Sequence, residues 1–119
     1  MKTGSIFSAD RGICLVPAVR FAQTAWERGR GLLAFPPLQS GEGLLITACG
    51  SVHTLGMRYA LDLVYLDRAG RVKKMVYGLK PARFSGALGA VSTLELPAGS
   101  LIDLQIALNE KLIWKETVQ

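Results

Sequence analysis

Cysteine, histidine and contiguous charge are all scarce in these 119 residues, and each scarcity excludes something. Two cysteines and one histidine are fewer than the four ligands a structural zinc site takes, so no metal is expected. Nor do two cysteines make a disulfide framework. Cys14 and Cys49 lie far apart among apolar neighbours and are expected as buried, reduced thiols. Charged residues are 19% of the chain and hydrophobic ones 50%, the reverse of a disordered composition. No apolar run approaches the ~18 residues of a membrane helix, and even the short stretch Leu61 to Leu66 is interrupted by Asp62. The opening residues Met1 to Arg11 have no apolar segment ahead of the charges. The expectation is therefore no secretory signal and a cytoplasmic location.

A mass of 12.8 kDa allows one domain over residues 1–119 with a modest core. The net charge of +5 and pI near 9.6 raise the question of nucleic acid. The eight arginines and six lysines form no run longer than Lys73-Lys74, and no nucleic-acid-binding motif is present, so no specific nucleic-acid partner is expected.

Periodicity predicts a mainly β chain, five or six short strands with two short helices, as in a small sandwich or barrel. Residues 1–12 read as a loose arm and 115–119 as a loose tail. Ile13 to Val16 is a strand that Pro17 confines to an edge or stops pairing. Ala22, Ala25, Trp26, Gly29 and Leu33 make a helical stripe that Pro36-Pro37 ends. Leu44 to Ile46 is a short strand. The strongest local signal is a hairpin, Leu61 to Leu66 and Val72 to Leu79, joined by the turn Asp67-Arg68-Ala69-Gly70. Phe84 to Ala90 is glycine-rich and reads as a loop. Val91 to Leu96 alternates, with Leu94 and Leu96 opposite Thr93 and Glu95. Ser100 and Asp103 have capping-box spacing ahead of a second short helix, and Leu112 to Trp114 is the last strand.

Reactive side chains concentrate between Cys49 and Asp62, and several readings compete for them. A Cys49–His53 nucleophilic pair would share a helix face, but the glycines at 50 and 56 oppose a helix, and on a strand the two lie ~13 Å apart. Catalytic zinc or iron would need a carboxylate such as Asp62 to join His53. In a structural reading His53 and Arg58 bond loop carbonyls while Met57 fills core. In a ligand-binding reading His53, Thr54, Arg58 and Asp62 line a polar pocket, and the planar fork of Arg58 suits a carboxylate or phosphate. Asp62, alone among apolar strand residues, must be satisfied by backbone amides or a cation, and Arg58 is the nearest cation in sequence.

Four blocks give the chain a family resemblance. They are Ala22-Gln23-Thr24 with Arg28-Gly29-Arg30-Gly31-Leu32-Leu33, then Gly41-Glu42-Gly43-Leu44-Leu45-Ile46. The central block runs from Val52-His53-Thr54 through Met57-Arg58 and Leu61-Asp62 to Asp67, and the last is Leu94-Glu95-Leu96-Pro97-Ala98-Gly99. In this order they resemble DUF192, a family of uncharacterised bacterial and archaeal domains. The resemblance implies a mostly β, jelly-roll-like sandwich or barrel and no assigned activity. Some relatives carry export signals or are encoded near secretion or pilus genes, which implies a link to such machinery.

The function expected is that of a small binding or accessory domain. Its polar pocket lies near His53, Arg58 and Asp62, with Thr54 beside them and Arg28 joining from the helix end. A small ligand or a peptide segment is the partner, and no cofactor is implied. Two alternatives stay open. One is a hydrolase with His53 as base and Cys49 or Thr54 near it. The other is a structural or protein-interaction module that uses an exposed edge such as the strand before Pro17.

Overall fold

Strands dominate the computed structural model, which describes residues 1–24, 36–54 and 57–118. In chain order they are β1 (Lys2–Ser8), β2 (Ile13–Ala22), β3 (Glu42–Thr47), β4 (Ser51–His53), β5 (Leu61–Leu66), β6 (Val72–Leu79), β7 (Phe84–Gly86), β8 (Ser92–Pro97) and β9 (Leu112–Glu116). The single helix among the described residues, α1 (Ser100–Leu104), is little more than one turn. The other expected helix, over Ala22 to Leu33, falls mostly outside the described residues.

Seven strands form one sheet in the order β6-β5-β8-β3-β2-β1-β9, and β4 pairs with β7 in a separate two-stranded sheet. All neighbours in the large sheet are antiparallel except β2 and β3. The sheet curls until its two edge strands approach, joined by the isolated bridge Arg71–Lys111. It does not close into a barrel, and the fold is a mainly β, sandwich-like one.

The expected hairpin is β5–β6. Oδ1 of Asp67 accepts from the amides of Ala69 and Arg71, both at 2.9 Å, and Gly70 takes the left-handed φ of 82° that the turn requires. Pro17 does not end its strand. Register slips where β1 pairs Ile6 with Val16 and then Gly4 with Val19, and this bulge absorbs the missing N–H. The first residues are not a loose arm either: β1 lies between β2 and β9, hydrogen-bonded on both sides. Gly4 lets β1 pass close under Trp114, where a Cβ would collide with the Trp114 ring and the Lys115 carbonyl. Lys115 and Glu116, expected in the tail, extend β9.

Apolar side chains fill both faces of the large sheet. On the concave face Ile6, Val16, Val19, Leu45, Val64, Leu94 and Leu96 pack with Leu101 of α1 and Ile106. On the other face Ala22, Leu44, Ile46, Leu61, Leu63 and Tyr65 are covered by Val52 of β4 and by Leu38, with Met57 and Tyr59 packed alongside. Burial on both faces makes β5 a continuous buried run. It also defeats the alternation read for β8, where Thr93 to Leu96 are all buried.

Candidate functional site

Asp62 faces the concave core from β5 and is 1% exposed. Its carboxylate is satisfied by backbone: Oδ1 accepts from the Gly78 amide at 2.8 Å, and Oδ2 from Gly99 at 3.0 Å and Leu101 at 2.9 Å. Asp62 thus ties β6 and the start of α1 to β5. This replaces the expected capping box, because the Ser100 hydroxyl donates instead to the Pro97 carbonyl at 2.7 Å. It also overturns the expected Asp62–Arg58 pair. Arg58 is exposed, and no ion pair joins the two among the described residues.

Thr54 does structural work too. It is 0% exposed, and its hydroxyl donates to the Lys80 carbonyl at 2.7 Å while accepting from the Arg83 amide at 2.9 Å. Its backbone N–H donates to the Arg83 carbonyl at 2.8 Å, and its carbonyl accepts from Ala82 at 3.0 Å and Met57 at 3.1 Å. One buried threonine therefore fastens the loop of residues 80–83 to the chain entering β5. The side chains of Lys80, Arg83 and Arg58 are exposed around this clamp. His53, also exposed, pairs with Phe84 across β4–β7, their ring centroids 6.3 Å apart, and Phe84 is 74% exposed. Ser51, Val52, Ser85 and Gly86 complete a shallow open hollow with these two rings.

Of the residues expected to form one pocket, the structure leaves His53 and Arg58 exposed and sends Asp62 and the Thr54 hydroxyl to internal bonds. Arg28 lies outside the described residues. The Cys49–His53 pair is not formed. The Cys49 thiol donates to the Ser51 carbonyl at 2.8 Å, and the Thr54 hydroxyl is already used, so neither meets the imidazole. Cys14 and Cys49 are free thiols, but neither is buried as expected: Cys14 is exposed and Cys49 half-buried. Among the described residues no group of three or more His, Cys, Asp or Glu could hold a metal ion.

Two features escaped the sequence reading. The first is the distribution of charge. Residues 49–94 hold seven basic side chains against two acidic ones, which is the whole net charge of +5, and the rest of the chain holds seven of each. This was legible, because one of the two acids sits in an apolar strand and cannot offset surface charge. The second is Glu95, expected opposite the apolar side of its strand and in fact 5% exposed, paired across the sheet with Leu63 and Leu44. Burial alone pushes its carboxyl up to about 7. Nearby, the Tyr59 hydroxyl is shut off from solvent and makes no hydrogen bond among the described residues. Burial raises its pKa, the polar backbone of Leu38 opposes the rise, and the charge of Glu95 adds to it. Burial also raises the pKa of Tyr65, against the hydrogen bond its hydroxyl donates to Ser85 at 2.8 Å, and Cys49 and Glu95 add to the rise.

The sequence profile of the DUF192 family, described as "Uncharacterized ACR", matches residues 7–114. Among solved structures, a protein from Sinorhizobium meliloti 1021, provisionally named a transcription regulator, superposes with a TM-score of 0.79 at 16% identity, over 95% of this chain and 92% of its own. A protein of unknown function from Novosphingobium aromaticivorans DSM 12444 superposes with a TM-score of 0.75 at 18% identity, over 94% and 84%. At these identities the likeness is one of fold. A comparison with curated proteins gives no match. No helix among the described residues is long and apolar enough to cross a membrane.

Proposed function

The chain belongs to the DUF192 family, and on that premise we propose that it is a binding domain whose loop surface around Thr54 takes an acidic polypeptide segment. The observation that carries this reading is the Thr54 clamp, which holds Lys80, Arg83 and the Met57-Arg58 turn beside the exposed His53–Phe84 pair. Cations held on a fastened backbone lose less freedom on binding than cations on free loops, and an exposed aromatic supplies an apolar anchor among them. The concentration of the net charge in residues 49–94 adds long-range attraction for an anionic partner. The buried polar groups of Thr54 and Asp62 serve this surface indirectly, one by fixing its loops and the other by fixing the strands beneath. Relatives encoded near secretion or pilus genes point to such machinery as a source of the partner.

Fluorescence anisotropy with a labelled Asp/Glu-rich peptide tests the reading. Replacing Arg58, Lys80 and Arg83 together by Gln is expected to weaken binding at least about tenfold, with Phe84→Ala weakening it further. A control with Lys2 and Lys115 changed to Gln should bind as the parent does. Raising salt from about 50 to about 200 mM should weaken the parent complex more than that of the triple variant. Equal binding by the two variants would refute the surface. An unlabelled duplex oligonucleotide that competes better than the peptide would replace the partner with nucleic acid.

A further inference from the structure

Inside the curl of the large sheet, side-chain volume drops at one end. On the concave face Leu45 of β3 stands opposite Leu94 of β8, but at the next inward-facing rung Thr47 stands opposite Ser92. On its other side Ser92 pairs with Leu66, the last residue of β5 before the Asp67–Gly70 turn. Two small hydroxyl residues where the rung below carries leucines leave a gap, a cavity of about 180 Å³. The buried side chains of Ile6, Leu45, Leu66 and Leu112 line it. So do half-buried Phe21 and Trp114, whose rings meet edge to face with centroids 4.8 Å apart. Its polar lining includes Thr47, Ser92, Asp67 and Arg68. The Thr47 hydroxyl donates to the Ala22 carbonyl at 3.4 Å, and Oδ1 of Asp67 holds the turn. The Ser92 hydroxyl and the exposed guanidinium of Arg68 make no hydrogen bond or ion pair among the described residues. The cavity lies at the opposite end of β5 from the Thr54 loops, where Leu61 pairs with Leu79.

We propose that this cavity binds a small monocarboxylate carrying one aromatic ring, with the ring inside the sheet and the carboxylate at the mouth against Arg68 and Ser92. Ligand sites recur where a curled sheet opens, as apolar hollows with a few polar groups that fix orientation. Volume sets the size of the tail. An apolar cavity of about 150 Å³ holds one benzene, so this one takes a single ring and a short stem but not a fused ring system. Phe21 and Trp114 offer that ring aromatic neighbours. The charged head stays at the mouth, because the apolar lining leaves a buried charge without partners. Its sign follows from the turn, where Arg68, Arg71 and Lys73 stand against the single acid Asp67. That acid is already engaged: the Arg71 amide holds its carboxyl below the usual range, and the charges of Lys73 and Arg71 add to this. The planar fork of Arg68 is free for a carboxylate, and the Ser92 hydroxyl supplies a further donor.

The probe is phenylacetate, with phenylacetamide as its uncharged match and 2-phenylethylammonium as its opposite charge, read by NMR of the methyl groups of Ile6, Leu66 and Leu112. Phenylacetate is expected to shift all three methyls saturably, phenylacetamide to bind about tenfold more weakly, and the ammonium more weakly still. Arg68→Gln should weaken phenylacetate about tenfold and leave phenylacetamide unchanged, a split that a merely structural role of Arg68 would not produce. Ser92→Leu fills the gap and removes the hydroxyl, and should abolish the methyl shifts with both probes. If Ser92→Leu does not fold, Arg68→Gln decides, because an exposed turn residue that bonds nothing can be changed without loss of the fold. Phenylacetamide or the ammonium binding as well as phenylacetate overturns the carboxylate class. Shifts confined to residues 67–73 mean ion pairing at the surface, and no saturable shift at about 20 mM means a cavity that holds only solvent; either result overturns the site.

Discussion

Replacing Asp62 by alanine is the sharpest perturbation of this fold. The carboxylate is 1% exposed and accepts three backbone amides, from Gly78, Gly99 and Leu101, at 2.8 to 3.0 Å. A hydrogen bond to a charged group contributes roughly 1.5–3 kcal/mol net, and three on one carboxylate overlap rather than add. Removal leaves three amides to find water or go unpaired, and frees the single turn of α1 that carries the buried Leu101. The expected loss is about 3–5 kcal/mol, a large fraction of the stability of a domain this size. Arg58, exposed and not joined to Asp62, is expected to cost no more than about 0.5 kcal/mol as Arg58→Ala. Urea denaturation of the parent, both single variants and the double variant gives the coupling, and the two losses should add within about 0.5 kcal/mol. Asp62→Asn, which keeps one acceptor and turns an NH2 toward an amide donor, should fall between parent and alanine and supplies the graded measurement if alanine fails to fold. Hydrogen exchange at Gly99 and Leu101 should accelerate more than at the distant β1–β9 ladder. A loss below about 1 kcal/mol for Asp62→Ala, or a coupling to Arg58 above about 1 kcal/mol, would refute this account of how α1 is held.

Two further outcomes follow from buried and exposed side chains. Glu95 titrates in the folded protein at about 7 and in the unfolded chain in the ordinary carboxylate range, so between these limits the folded state holds the extra proton. Stability from this group is therefore fully present at low pH and lost as pH rises through about 7, by about 3 kcal/mol, and Glu95→Gln should flatten that limb of a pH series of urea melts. A slope unchanged in the variant would assign the pH dependence elsewhere. For the thiols, mass spectrometry after alkylation without reductant in denaturant should show two labels, and under native conditions Cys14 should be labelled well before Cys49, whose thiol is bonded to the Ser51 carbonyl. A two-proton mass deficit with no label would instead mean a disulfide.

What could be read from the sequence was what depends on neighbours along the chain. The hairpin of β5 and β6 was legible because Asp67 and Gly70 carry their turn chemistry locally. The free thiols and the β-rich class were legible for similar reasons. The arm at residues 1–12 was misread because β1 is stabilised by its partners β2 and β9, and β9 lies at the other end of the chain. Phe84 to Gly86 was misread as loop because its pairing with Ser51 to His53 spans about thirty residues and involves only three positions on each side. The candidate site suffered most. Sequence proximity suggested Arg58 as the partner of Asp62, and three backbone amides from β6 and α1, none local, took that place.

Asp62 and Glu95 show why a charged residue in an apolar strand cannot be assigned a role from its own segment. Both acids sit in central strands, and Asp62 faces one side of the sheet while Glu95 faces the other. The alternation rule presumes that one side is wet, which would have made one of them a surface residue. Here the β4–β7 pair covers the side that Glu95 faces, so both are buried and each needs an answer. Asp62 has one inside the fold: three amides that α1 and β6 must satisfy somewhere in any case, so its charge is offset by bonds the backbone requires. Glu95 has no such set of amides among the described residues, and burial raises its carboxyl to about 7, so its ionisation costs stability as pH rises. A residue that the fold explains is a structural residue. One that the fold only tolerates, as Glu95 is here, instead makes stability depend on pH over the range in which its carboxyl ionises.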